Sequence, residues 1–434
     1  MNLLIPDSQG PQSYYVILGM KSVCRKIIVT VPHVGKFSRI YSSSSNSKYV
    51  TKNYSVTGIN DAWFKNGCTE KATALEENFL AEILHICKRE KITVIYPSSD
   101  AMVSFFSKHN HHFSERSITI PVPHYSIVRS TMNKYTITTM AAQAGIDIPQ
   151  TFLLADESSL EKALSHLRFP VLVKPCFGTV AQNIYKINNK EKLYSRFNAL
   201  KLKTDNLMVQ EFIPGNKFIS DHVLTANNYN LALSYKLQSE EPALKIWQNN
   251  GSDHNHLSIA HVDPNVFMLL KKLHYKGFAN VQFKIDERDH REKLIDFNPR
   301  INLMAWIMMS YGINVPYVNY QIFQDQRITV KSIRYKGAMN TLQPIRDLSI
   351  FLVYLWCVVM KICHRYIFPA KKNPFKNIPS FMHIIMFHKK RYFSKFKRID
   401  PLSTCVFTDP CVALCYSLFY FWHTCSKYPD DFQA

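Results

Sequence analysis

The first third of the chain alternates short apolar runs with stretches of helical period. Asn2 to Asp7 is an apolar run closed by a turn at Gly10-Pro11, Ser13 to Met20 reads as a helix, and Lys26 to Pro32 is a second apolar run. The opening therefore reads β-α-β. After a Ser-rich loop at 42–47, an amphipathic helix is predicted over Leu75 to Glu90, then a strand over Ile92 to Pro97 and a helix from Ser99. Such alternation implies a parallel sheet with helices on its faces. From Tyr125 the pattern changes to helices at about 131–144 and 157–167, a strand over Phe169 to Lys174, a strand-rich block from Met208 to about Leu237, and strands over Ala279 to Ile285 and Lys293 to Phe297. Beyond Ser332 two apolar runs, Leu348 to Met360 and Cys411 to Trp422, flank a basic stretch. No internal repeat is visible.

Composition narrows this picture. A chain of 434 residues with 46% hydrophobic content has room for two or three domains, and 12 glycines against 28 Phe and 23 Tyr predict closely docked domains with aromatic cores. The formal net charge of +21 favours polyanionic partners. The ten cysteines show no CxxC and no metal-finger spacing, which reads as reduced core thiols of a cytosolic protein. The N-terminus lacks the basic and long apolar regions of a secretory signal. No GxGxxG is present, so a dinucleotide site has little support.

Three segments carry candidate chemistry. In Lys293 to Arg300 the side chains at Asp296, Asn298 and Arg300 share one face of an extended strand. A carboxylate beside an amide oxygen suits a hard cation such as Mg²⁺, and Gln282 adds a second amide if the two strands are antiparallel neighbours. The plainer reading is a surface strand ending in a polar turn. In Pro170 to Pro175 an apolar strand delivers Lys174, followed by Cys176-Phe177-Gly178, a turn that can present backbone N–H groups to phosphate; solvent-facing lysines at strand ends are also common. Met208 to Gly215 is a short strand broken at Pro214-Gly215, which is equally the pattern of an edge strand entering a turn.

Taken in order, these segments resemble the ATP-grasp superfamily, in the branch related to carbamoyl-phosphate synthetase and the carboligases that include D-aspartate ligase. The likeness rests on Asn133-Lys134, Ala144-Gly-Ile-Asp-Ile-Pro149, Val173-Lys-Pro175, Gln210-Glu-Phe-Ile-Pro-Gly215, Gly277-Phe-Ala-Asn-Val-Gln282, Asp296-Phe-Asn-Pro-Arg300 and Gly312-Ile-Asn-Val-Pro316, spread over roughly residues 1 to 325. It implies an α/β, Rossmann-like domain over 1–124, an α+β ATP-grasp fold over 125–331 with a lid at about 168–215, and a mainly helical, basic region over 332–434. It further implies ATP and Mg²⁺ (or Mn²⁺) as cofactors, and an enzyme that activates a carboxylate as an acyl phosphate and joins it to an amine. By position, Lys134 and Lys174 would neutralise phosphates, with Gly178 in the lid turn. Glu211 and the backbone of Phe212 and Ile213 would read the adenine edge. Gln282, Asp296 and Asn298 would hold the metal, and Arg300 would steady the transferring phosphoryl group. The chain departs from the family in a glycine-poor loop after Lys174, in Asp296 where glutamate is common, and in Asn216-Lys217 where an acidic residue often meets the ribose, which leaves Asp221 for that contact. The alternative is an idle nucleotide-binding module tethered to a membrane or partner.

Residues 361 to 398 hold eleven Lys or Arg and no Asp or Glu. The flanking run Leu348 to Met360 is too short for a span of about 20 residues. Together 348–398 suit an anionic membrane surface, placing the chain in the cytoplasm or peripherally on the cytoplasmic face of a membrane. A solvated basic face is the simpler alternative. Nucleic acid is disfavoured because no DNA- or RNA-binding signature accompanies the charge.

Overall fold

Leu3, Leu4 and Ile5 are fully buried, as are Ile28 and Val29, which is what strands covered on both faces require. In the computed structural model, Asn2–Ile5 (β1), Lys26–Pro32 (β2), Lys52–Val56 (β3) and Val94–Ile95 (β4) form a parallel sheet of order β3-β2-β1-β4. The structure describes residues 1–8, 10–33, 42–59, 73–178, 184–201, 206–226, 229–239, 254–302, 304–326, 328, 338–342 and 397–399. Pro11–Met20 (α1) and Thr73–Glu90 (α2) supply the expected helices, while the strand at Ile92 to Pro97 is only two residues long. The Ser-rich segment is more than a surface loop. Ser43–Asn46 form a turn of 3-10 helix, Ser42, Ser44 and Ser45 are buried, and the Ser44 amide donates to Ser8 O at the carboxyl edge of the sheet.

Next come Asp100–Lys108 (α3), Asn110–Ser114 (α4), Tyr125–Met132 (α5) and Lys134–Gln143 (α6). The single helix predicted at 131–144 is thus two, because the Asn133 side chain accepts from the amides of Tyr135 and Thr136 and caps a new helix. A second sheet is antiparallel, of order β5-β8-β6-β7, from Thr151–Leu154 (β5), Val171–Pro175 (β6), Tyr185–Ile187 (β7) and Leu207–Glu211 (β8). Glu157–Leu164 (α7) and Lys190–Lys201 (α8) cover one face of it through Leu160, Leu193 and Phe197. The first strand of this sheet in chain order is β5, from Thr151.

The largest sheet contains Lys217–Ala226 (β9), Tyr229–Ser239 (β10), His254–Ala260 (β11), Gly277–Ile285 (β12) and Glu292–Asn298 (β13), in the order β13-β12-β9-β10-β11, and continues through Ala338–Leu342 (β14) and Lys397–Ile399 (β15). Pro264–Lys272 (α9) and α6 pack on one of its faces through Ile137, Val266 and Leu269. Ala305–Ser310 (α10) and Val315–Phe323 (α11) follow. A continuous apolar cluster joins Leu3 and Tyr15 of the parallel sheet unit through Trp306 to Leu224 and Tyr235 of the large sheet. At Gly19 the contact is so close that a Cβ would lie 2.7 Å from the Pro316 ring, and Gly19 O accepts from Asn314 Nδ2 at 2.7 Å. Apart from β14 and β15, the C-terminal region predicted at 332–434, with both its apolar runs and its basic stretch, lies outside the described residues. Among the described residues no helix is long and apolar enough to cross a membrane.

Candidate active site

Lys174 is the penultimate residue of β6, where its strand faces the cleft between lid and large sheet. It is only 4% exposed, and burial, reinforced by the neighbouring Lys134 charge, pulls its ammonium down to about 8. Lys134 opens α6, and its amide donates to Cys176 O at 2.8 Å, so the helix start is docked on the turn that follows Lys174. From that position Lys134 Nζ donates to Asp296 Oδ1 at 2.7 Å, joining residues 162 apart in sequence.

The large sheet supplies the opposite wall. β12 and β13 are antiparallel neighbours, with Gln282 opposite Asp296 and Asn280 opposite Asn298, so Gln282, Asp296 and Asn298 stand on one face as the alternation predicted. Burial alone would raise the Asp296 carboxyl, but Lys134 and Lys174, with a hydrogen bond from Asn298, hold it below the usual carboxylate range. Asn298 Nδ2 donates to Asp296 Oδ2 at 3.2 Å and to Asn280 Oδ1 at 3.4 Å, which turns its amide oxygen away from both. The resulting set of oxygen donors, one carboxylate and two amides, fits Mg²⁺ or Mn²⁺ and does not fit a softer metal. Among the described residues no cluster of three or more His, Cys, Asp or Glu offers another metal site.

Arg300 lies just beyond β13. Its Nε donates to Asp100 Oδ1 at 2.7 Å and its Nη2 to Asp100 Oδ2 at 2.9 Å, a bidentate pair with the first residue of α3. Burial would lower the guanidinium, but Asp100 outweighs it and stabilises the charge. Asp7, at the carboxyl edge of β1, also acts on Arg300; burial raises its carboxyl, only partly offset by hydroxyls of Ser99 and Ser98. Asp100 and Asp7 were not legible as site residues, because nothing local marks a partner 200 positions away.

Two expectations change. The Glu211 carboxylate faces away from the cleft: it accepts from the Gln150 amide, pairs with Arg288 and Lys293, and borders a cavity of about 580 Å³ behind the hinge. Only the hinge backbone at Phe212 and Ile213 remains for reading a base. Asp221 belongs to the wrong face for a ribose contact. It sits opposite Val281, between Ile219 and Val223, on the side covered by α6 and α9, while Gln282 and Asn280 pair with Ser220 and His222. Gly178 is the last described residue before the loop at 179–183, so the consequence of that glycine-poor stretch lies outside the described residues.

Two lobes bring lysines and an oxygen-donor face together, and the comparisons find the same fold among ATP-grasp proteins. The RimK-like ATP-grasp domain family matches residues 131–262. That match spans under a third of the chain, and the relatives add a likeness in sequence and in fold. It is 23% identical over 269 residues to the D-aspartate ligase of Enterococcus faecium (strain Aus0004), a match covering 55% of this chain and 61% of that ligase. Among solved structures it is similar to the L-amino acid ligase of Bacillus licheniformis (TM-score 0.54, 14% identity, 74% of each chain). It is similar also to the biotin carboxylase domain of Hydrogenobacter thermophilus 2-oxoglutarate carboxylase, crystallised with MgADP and bicarbonate (TM-score 0.60, 17% identity, 78% of this chain and 73% of that one).

Proposed function

We propose that this chain is a Mg-ATP-dependent ligase that activates a carboxylate as an acyl phosphate and transfers the acyl group to an amine. The observation that carries this reading is the convergence of Lys134, Lys174 and Asp296 from three separate segments into one cluster across the cleft. Lys134 and Lys174 neutralise the triphosphate from the lid side, where positioning and charge matter more than covalent help. Gln282, Asp296 and Asn298 hold Mg²⁺ (or Mn²⁺), which when bound offsets negative charge on the phosphate oxygens. A substrate carboxylate oxygen attacks the γ-phosphorus, the bond to the leaving ADP oxygen breaks, and Arg300 steadies the moving phosphoryl group. The amine then forms a bond to the acyl carbon, phosphate departs with the C–O electrons, and the amine loses a proton to solvent.

The test is calorimetry with Mg-ATP, followed by ADP release over a panel of amino acids and other small carboxylates. Lys174→Ala is expected to weaken Mg-ATP by about tenfold or more, the value of a lost charge-assisted contact. Asp296→Asn, which keeps the shape and removes the charge, is expected to leave the fold intact and to lower carboxylate-dependent ADP release by about a hundredfold. Mg-ATP binding without ADP release on any carboxylate would favour an idle nucleotide-binding module; no binding at all would remove the ligase reading.

A further inference from the structure

The cavity of about 580 Å³ behind the hinge is separate from the cleft, since none of Lys134, Lys174, Gln282, Asp296 and Arg300 lines it. Four stretches of chain enclose it: the link from α6 to β5, the residues between α7 and β6, the hinge at Glu211, and the turn between β12 and β13. Its charges fall into two groups, of which the first is committed. Asp286, whose side chain is fully buried, accepts from Lys293 Nζ at 2.7 Å and from Arg288, and Arg288 also pairs with Glu211. These four groups close on one another.

The second group is lightly paired. Arg168, exposed on the lid, makes no hydrogen bond or ion pair among the described residues. Arg291 stands 3.6 Å from Asp147, and with side chains 67% and 50% exposed that pair is screened by solvent and contributes little. Asp289 Oδ1 accepts from the Arg291 amide at 3.0 Å, but the cation near its Oδ2, Lys293 at 3.7 Å, is already bonded to Asp286. Two guanidinium groups and two carboxylates therefore remain around one cavity, to which Ile148, Phe169 and Pro170 add apolar wall.

A simple anion or cation gains little from such a set, because attraction to one sign is offset by repulsion from the other. A molecule that carries both charges close together satisfies both: a guanidinium takes a carboxylate through two parallel hydrogen bonds, and a carboxylate accepts from an ammonium. We propose that this cavity binds a free amino acid with an apolar side chain, its carboxylate on Arg168, its ammonium on Asp289 and its side chain against Ile148 and Phe169. Arg168 belongs to the lid and Asp289 to the turn of the large sheet, so the occupant bridges the two lobes across the back of the hinge and acts as an effector. The assignment does not rest on the ligase reading, since no residue of the cleft takes part.

The experiment is calorimetry on the full chain without nucleotide, titrated with racemic leucine and, separately, with 4-methylpentanoate and 3-methylbutylamine, each of which lacks one of the two charges of leucine. Leucine is expected to bind, and each half to bind at least about tenfold more weakly, the size of a lost hydrogen bond between charged groups. Arg168→Gln and Asp289→Asn, shown to be folded by thermal unfolding, are each expected to weaken leucine by about tenfold; the asparagine keeps the oxygen that accepts from the Arg291 amide. Asp296→Asn, which alters only the cleft, is expected to leave leucine binding unchanged. Absence of leucine binding would overturn the proposal, as would halves that bind as tightly as leucine. Binding lost in Asp296→Asn and retained in Arg168→Gln would place leucine in the cleft and overturn it equally.

Discussion

Asp221 is buried to 1% exposure on the helix-covered face of the large sheet, and its Oδ1 has no hydrogen-bond partner among the described residues. Burial pushes its carboxyl up to about 7; Ser234 acts against this, while the charges of Glu292 and Asp263 add to it. In the unfolded chain the same group titrates near 3.8. The folded state therefore holds this proton more tightly, and its contribution to stability is fully present below about pH 4 and is lost as pH rises through about 7. A separation of that size corresponds to roughly 4 kcal/mol, taken at full burial. Asp221→Asn, neutral at every pH, is expected to unfold at higher urea than the wild type at pH 8 and to show a flatter stability profile between pH 4 and 7. Parallel profiles for the two proteins would show that the Asp221 carboxyl is not strained by its surroundings.

At the scale of elements, α3 and the segment after β13 are joined by the Asp100–Arg300 fork. Removing one member of a buried pair leaves an uncompensated charge, which costs about 3 to 5 kcal/mol, whereas replacing both costs far less. Asp100→Ala is expected to lose about 3 kcal/mol in urea unfolding, and the double variant Asp100→Ala/Arg300→Met to regain more than half; additive losses would show the pair to be energetically idle. The helix start at Ser99 was readable, since Ser99 Oγ accepts from the Met102 amide as an N-cap should. Its reach to Arg300 was not, because strand alternation fixes only which face a side chain takes. That same alternation did suffice for Gln282, Asp296 and Asn298, whose spacing of two places them on one face of antiparallel neighbours. It failed for Asp221, where a carboxylate in the right stretch of sequence stands one residue out of phase with Ser220 and His222. It also missed β5, β11, α8 and α9, short elements whose apolar positions are too few for a period to emerge from one sequence.

The whole molecule carries a formal charge of +21, and residues 361 to 398 contribute eleven Lys or Arg with no acidic residue. We propose that 348–398 holds the protein to an anionic bilayer surface. With about 1 kcal/mol for each basic residue near such a surface, Lys389→Glu, Lys390→Glu and Arg391→Glu together are expected to reduce co-sedimentation with anionic vesicles by about tenfold or more. Neutral vesicles are expected to take up little of either protein, and equal partitioning of both onto anionic vesicles would return the stretch to a solvated face. The cleft has a different organisation, and one bond governs how it can move. The amide of Lys134 is held by Cys176 O, so the root of the lid is moored beside Lys134 and Lys174. Any swing of the lid that keeps this bond must turn about an axis passing close to it. Such a swing works as a lever with its fulcrum at Cys176: Lys174, two residues away, travels a short arc, while Lys186 on the neighbouring strand β7 travels a longer one.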